Sequence, residues 1–255
     1  MVSPANPGQR LYRGFALPFL GFRLWLWGCF SLFALLGQSV KHTCGIRHGF
    51  QSPWLAIHTL RKQAPSIYQL KITLRGARPP IWRRVQVRSD VTLGHLHWVI
   101  QHGMGWTNSH LHSFTIRGVD YGEPMPDLGF DELELRDEQS IKLSKVISGK
   151  GFKFSYLYDF GDAWEHEILL EKVLATEPGA SYPVCIKAKR ACPPEDCGGV
   201  WGYRDFLDAI QSADHPEHEE MLEWAGGFFA PEDVDLNEVN HLLKTLSHDT
   251  TRFEG

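Results

Sequence analysis

The 255-residue chain predicts an α+β fold: a mostly antiparallel sheet, opened by a strand hairpin, interrupted by one helix, continued by further strands, and with C-terminal helices packed on it. Three observations predict it. Period-two alternation marks Ile67–Leu74, Phe152–Tyr158 and Trp164–Leu174. Between the first and second of these lies one segment of helical spacing, Leu93–Met104. The remaining helical segments come together after the last strand rather than alternating with strands. Hydrophobic residues at 43% and charged residues at 22% suit a globular chain and exclude general disorder.

Each element follows from its residues. In Ile67–Leu74, Tyr68, Leu70, Ile72 and Leu74 alternate with Gln69, Lys71 and Thr73, the pattern of a half-buried strand. Gly76 to Pro80 breaks the run, and Ile81–Val87 returns as the second arm of a hairpin. Thr92 is a fitting N-cap for a helix over Leu93–Met104, and Gly103 and Gly105 end it. Leu111–Arg117 reads as a strand and Gly118 to Asp131 as turn-rich chain. Phe152–Tyr158 and Trp164–Leu174 are strands joined by the turn Asp159-Phe160-Gly161-Asp162. A loop holding three cysteines follows. Helical spacing then appears near Tyr203–Ser212, Pro216–Gly226 and Asp235–Leu246.

Charge divides the chain. The first 89 residues carry 13 of the 26 Lys and Arg and no Asp or Glu; the other 166 carry 13 basic residues and all 30 acids, a net of 13 − 30 = −17. An acidic body disfavours broad phosphate binding, so a protein or small ligand is the expected partner rather than DNA. Residues 1–65 read as a basic, apolar leader outside the fold, with residues 66–255 as the folded domain. Leu24–Leu36, at 13 uncharged residues, falls short of the ~20 of a bilayer span. Three readings fit: a signal peptide with Arg10, Arg13 and Arg23 as its charged region, a tilted membrane anchor, or translation from a start placed too far upstream. The domain itself is expected in the cytoplasm, with anchoring or export if residues 1–65 are translated. Five cysteines are too few for a disulfide-stapled scaffold of this size.

No phosphate-cradling Gly-rich loop, Gly-x-Ser-x-Gly elbow or His-Glu-x-x-His helix is present, which removes the commonest motif-bearing enzymes. Chemistry concentrates in two places. The turn and strand at Asp159–His166 place Asp159, Asp162, Trp164 and His166 together, with Trp164 and His166 on one strand face. There His166 reads as a metal ligand or proton carrier, or as a satisfied buried imidazole beside a self-bonded turn. The loop Cys192-Pro-Pro-Glu195-Asp196-Cys197 has spacing seen in zinc sites. Cys192, Cys197 and His166 form the candidate Zn set, with Glu195 and Asp196 beside them; buried free thiols, or a disulfide if the domain is exported, are the alternatives. Gly198, Gly199 and Gly202 lead into the helix, where free amides suit an anion or simply supply turn geometry. His110 and His112 would share a strand face, as two metal ligands would, but with no carboxylate partner in view they read as surface polar residues. Arg78, Arg83 and Arg84 beside Trp82 are candidate nucleic-acid contacts, or internal partners of the acidic body.

Several runs occur in order: Arg78-Pro-Pro-Ile-Trp-Arg-Arg84, Met104-Gly-Trp106 with His110-Leu-His112, Tyr158-Asp-Phe-Gly-Asp-Ala-Trp-Glu-His166, and Cys192-Pro-Pro-Glu-Asp-Cys-Gly-Gly199 with Gly202-Tyr203. Together they resemble the plasmid pRiA4b ORF-3-like family from about Ile67 to Leu246. The resemblance implies a bacterial or archaeal mobile-element accessory domain with no defined activity, and it favours a late true start. No serine-recombinase nucleophile motif accompanies it. The expected function is a ligand- or partner-binding module at the Asp159–His166 turn and Cys192–Cys197 loop. The alternative is a metal-dependent hydrolase or nuclease using the same residues.

Overall fold

A computed structural model describes residues 65–124 and 135–248. The leader therefore lies outside the described residues except for Pro65, whose carbonyl accepts from Thr176 Oγ1. The expected turn-rich stretch is described only as far as residue 124.

Eight strands form one sheet in the order β5-β4-β3-β6-β7-β1-β2-β8. They are β1 (Ile67–Leu74), β2 (Trp82–Arg88), β3 (His112–Ile116), β4 (Val119–Gly122), β5 (Arg136–Asp137), β6 (Lys153–Tyr158), β7 (Trp164–Leu174) and β8 (Val184–Lys189). Every pairing is antiparallel except β4 with β5. The helices are α1 (Leu93–Met104), α2 (Leu143–Val146), α3 (Gly199–Gln211), α4 (His218–Trp224) and α5 (Leu236–His248). This is the expected α+β architecture. It adds β4 within the turn-rich stretch, β8 around Cys185 within the cysteine loop, and the short β5 and α2.

The sheet has one buried and one solvated face, as alternation dictates. On β7, Trp164, His166, Ile168 and Leu170 are buried while Glu165, Glu167 and Leu169 are partly exposed. The solvated face neutralises itself through Arg84–Glu171, Lys153–Glu167 and Arg75–Glu165. Such pairs contribute about 0–1 kcal/mol each. On the buried face, Ile72, Leu74, Val85, Phe114 and Ile168 form one core with Leu93, Leu96, Val99 and Ile100 of α1. Full burial of each aliphatic side chain stabilises by roughly 1.5–3 kcal/mol. α1 packs against α5, which also covers β8.

The caps of α1 fall where the sequence placed them. Thr92 Oγ1 accepts from the His95 amide at 3.1 Å, and Gly105, left-handed at φ 95°, donates to the Gln101 carbonyl. Among the described residues no helix is long and apolar enough to cross a membrane.

Candidate functional site

The end of the sheet where β6 turns into β7 carries the chemistry. Register places Tyr156 opposite His166 and Tyr158 opposite Trp164, with Leu74 on the other side of His166. Pleating sends all of these side chains inward. Trp164 and His166 are both 0% exposed, so the pair expected to meet a ligand is core instead. Nδ1 of His166 lies 2.9 Å from the Trp164 carbonyl, which holds the proton on that nitrogen. Burial, only partly offset by the Trp164 and Tyr156 backbone and aided by nearby Arg83, lowers its pKa to about 4. It is a neutral imidazole, enclosed by Trp106 and Tyr156.

The turn carboxylates do two different jobs. Asp159 Oδ1 accepts from the Gly161 amide at 2.8 Å within its own turn. Asp162 instead reaches across to the Gly198 amide at 3.1 Å. The anion at the start of α3 is thus supplied by the chain itself. α3 begins at Gly199, four residues before the expected Tyr203, because glycine permits a very close approach. A Cβ on Gly199 would stand 2.4 Å from the Asp162 carbonyl oxygen, and one on Gly202 would stand 1.9 Å from that of Cys197. These glycines lock the cysteine loop onto the turn.

The expected zinc set does not assemble. Cys192, Cys197 and His166 are not brought within ligand distance of one another among the described residues, since His166 faces the core. Burial pushes the Cys192 thiol well up, and burial with the Asp162 charge takes Cys197 to about 12. Both are protonated thiols near neutral pH, poor nucleophiles and poor ligands as they stand.

The residues that do converge are His110, Asp159 and Asp196, each offering one donor atom, all within 4.8 Å of one another. They arrive from three segments: the loop after α1, the β6–β7 turn and the cysteine loop. His110 Nδ1 is 3.6 Å from Asp159 and its Nε2 is 3.0 Å from Asp196, without hydrogen-bond alignment. Glu195 forms the adjoining wall. Its carboxylate accepts from the Thr107 amide at 3.0 Å, Thr107 Oγ1 at 2.6 Å and the Tyr158 hydroxyl at 2.5 Å. Burial raises its pKa, but the Thr107 and Tyr158 donors prevail and hold it below the ordinary value. Trp106 stacks on Tyr158 and donates from Nε1 to the Pro193 carbonyl at 3.0 Å, fixing the two loops together. Asn108, Asp159, Ala163 and Asp196, all non-glycine, adopt left-handed backbone here, and such strain concentrates at functional sites.

Sequence reasoning set His110 aside for want of a carboxylate partner and passed over Thr107. The strand begins only at His112, so His110 sits in the preceding loop and shares no strand face with it. Both histidines have carboxylates, supplied from distant parts of the chain. His112 is buried against Glu138 at 2.9 Å and stacked on His97 with ring centroids 3.5 Å apart, which corrects the surface role expected for it.

Arg83 is also corrected. Pleating puts neighbouring Arg83 and Arg84 on opposite faces, and Arg83, 1% exposed, donates to the carbonyls of Gly103, Trp82, Lys189 and Arg190. It is unavailable to a nucleic acid. Arg84 binds Glu171 and lies over Trp82. Arg78 remains exposed.

Fold and cluster together define a single-sheet α+β domain whose ligand-type residues gather on loops at one sheet end. The chain belongs to the plasmid pRiA4b ORF-3-like protein family, which it matches over residues 66–238. It is 42% identical over 162 residues to the uncharacterized protein y4hQ of Sinorhizobium fredii (strain NBRC 101917 / NGR234), covering 63% of this chain and 81% of that one. It is also similar to the crystal structure of MM3350, a protein of unknown function from Methanosarcina mazei Go1. That match has a TM-score of 0.62 and 36% identity, over 69% of this chain and 98% of that one.

Proposed function

We propose that this domain is a ligand-binding accessory module, and that its binding centre is the cleft of His110, Asp159 and Asp196, where a divalent cation presents the ligand. The convergence of one imidazole and two carboxylates from three separate segments carries this reading. Two donors bound to one ion at about 2.1 Å each and at roughly right angles stand about 3.0 Å apart. That matches the His110–Asp196 separation of 3.0 Å, and donors aimed at a shared ion do not align with each other. Mixed nitrogen and oxygen donors suit Zn²⁺ or Mn²⁺ better than Mg²⁺. Glu195, held rigid by three donors, orients what binds alongside.

Calorimetric titration of the chelator-treated full chain with Zn²⁺, Mn²⁺ and Mg²⁺ tests this. One saturable site for Zn²⁺ or Mn²⁺, abolished in Asp159→Asn, is expected. Absence of binding by all three ions overturns the reading.

Metal-dependent hydrolysis is the second reading, favoured by the donor count. Three protein ligands leave a position open for water, as catalytic sites do and closed structural sites do not. Hydrolysis of bis(p-nitrophenyl) phosphate with Mn²⁺ separates the two. A binding module gives no turnover above the Asp159→Asn variant, and turnover that this variant abolishes establishes the hydrolase.

A further inference from the structure

A second cleft of about 610 Å³ opens between the β1–β2 loop and the start of α3. Its volume lies within the roughly 300–1,000 Å³ of small-molecule sites. Trp201 lines it at 74% exposure, a large apolar side chain left in water. Arg204, one turn later on α3, sets its guanidinium 5.8 Å from the indole centroid. Arg75 and Arg78 enter from the opposite wall, beside Pro79.

The charges in this cleft are unequal. Arg75 is held by Glu165 and Glu167. Among the described residues Arg78 has no ion pair or hydrogen bond, and Arg204 is engaged only by the indole ring. Asp208 is the remaining carboxylate on the lining. A free guanidinium fork therefore stands across from a flat aromatic platform. Guanidinium groups bind phosphate through paired donors, and an exposed indole takes a planar heterocycle by stacking.

From this arrangement we infer that the cleft binds a nucleoside phosphate, the base stacked on Trp201 and the phosphate on Arg78 and Arg204. The same chemistry occurs in a free mononucleotide and in a single nucleic-acid strand. The free mononucleotide fits better, because the net −17 of residues 90–255 repels a phosphate polymer but scarcely opposes one ligand in a locally basic cleft. This inference does not involve the cation centre.

The test is calorimetric titration of the full chain with AMP, adenosine, inorganic phosphate and a short oligodeoxyadenylate strand. AMP is expected to saturate one site. Adenosine and phosphate, each lacking one half of the chemistry, should bind at least about tenfold more weakly. Trp201→Ala and Arg78→Gln should each weaken AMP by about tenfold or more while leaving the melting temperature unchanged, since both side chains are exposed. A strand that binds no tighter than AMP identifies the free nucleotide as the source. A strand that binds at least about tenfold tighter, with steep salt dependence, identifies a nucleic-acid end at the same site. No saturable binding of either AMP or the strand, or binding indifferent to both substitutions, overturns the inference.

Discussion

His110 and His112 are two residues apart and meet opposite fates. His112 opens β3 and points inward, where Glu138 at 2.9 Å, His97 stacked on its ring and Tyr156 enclose it. His97 is in turn tied to the Tyr156 hydroxyl at 2.8 Å and to Asn108 at 2.9 Å, and Gln101 donates to the same hydroxyl. These named groups find aligned partners, and the network specifies how α1 seats on the sheet. His110, in the loop just before the strand, stands between two carboxylates that approach without alignment. The same residue types make a fastener in one region and an open coordination set in the other. Composition does not separate structural from binding chemistry here; the separation lies in whether the buried groups already satisfy one another.

Acid should break the buried region first, and by the largest margin. His97 is pushed down to about 2, by burial and then by the neighbouring His112, and His166 to about 4 by burial. Both depart from an ordinary value of 6.5. The unfolded chain therefore takes up protons in a range where the folded chain does not. The stability these neutral rings contribute is complete above about pH 6.5 and declines as pH falls. The loss through His166 runs to about pH 4 and that through His97 continues toward pH 2. Within the window each group costs up to ~1.4 kcal/mol per pH unit. Urea midpoints measured from pH 7 to pH 4 should fall steeply, and His166→Phe should flatten the decline. A midpoint constant over that range would refute the assignment of both rings as buried neutral groups.

Next in size is Arg83→Met. The guanidinium ties the end of α1, through Gly103, to the end of β8, through Lys189 and Arg190. Methionine keeps the apolar stem but leaves these neutral carbonyls without their donor, and a buried acceptor left unsatisfied costs about 1–3 kcal/mol. Equilibrium denaturation measures it. A loss below about 1 kcal/mol would mean that other donors replace the guanidinium.

Much of this fold is legible in the sequence because alternation and capping are local signals. β1, β6, β7 and α1 follow from period and from Thr92 and Gly105, residues whose physics is settled within a few positions. β4, β5 and β8 are less legible: β4 and β5 hold too few residues for alternation to show, and β8, at the sheet edge, buries only Cys185. The candidate site was half legible. Asp159, Glu195 and Asp196 stand out as polar residues in constrained turns, but His110 has meaning only once the chain returns to it twice from far away. Of the readings open to them, His166 takes that of the buried imidazole and Arg83 that of an internal residue, for one reason, which the sequence does contain. Each occupies the inward phase of its own strand, beside Val85 and Val87 or Trp164 and Ile168, and phase outranks polarity when the partners await inside.

Asp162→Ala should cost about 1 kcal/mol, the loss of one hydrogen bond to the Gly198 amide. It sharpens the contrast by loosening the seam between turn and loop without touching the donors themselves. The variant should melt slightly earlier and retain cation binding. A loss of binding equal to that of Asp159→Asn would move Asp162 from the seam into the centre.

Asp196→Asn should have the smallest effect on stability and a large effect on binding. The side chain is 67% exposed, makes no aligned hydrogen bond and meets His110 only across 3.0 Å. Exposed substitutions of this kind stay within about 0.5 kcal/mol. Losing one like-charged neighbour of Asp159 makes even a slight gain in stability consistent with the reading. Cation affinity is another matter. Partners that merely orient a ligand cost about 10–100-fold when removed, so a carboxylate that itself binds the ion should cost at least that much. Glu219→Gln, an exposed acid on α4, supplies the control for a simple change of net charge. If Asp196→Asn and Glu219→Gln weaken Zn²⁺ or Mn²⁺ equally, the cleft attracts ions only through the general field of an acidic protein. If Asp196→Asn alone does so at unchanged melting temperature, the carboxylate is a ligand.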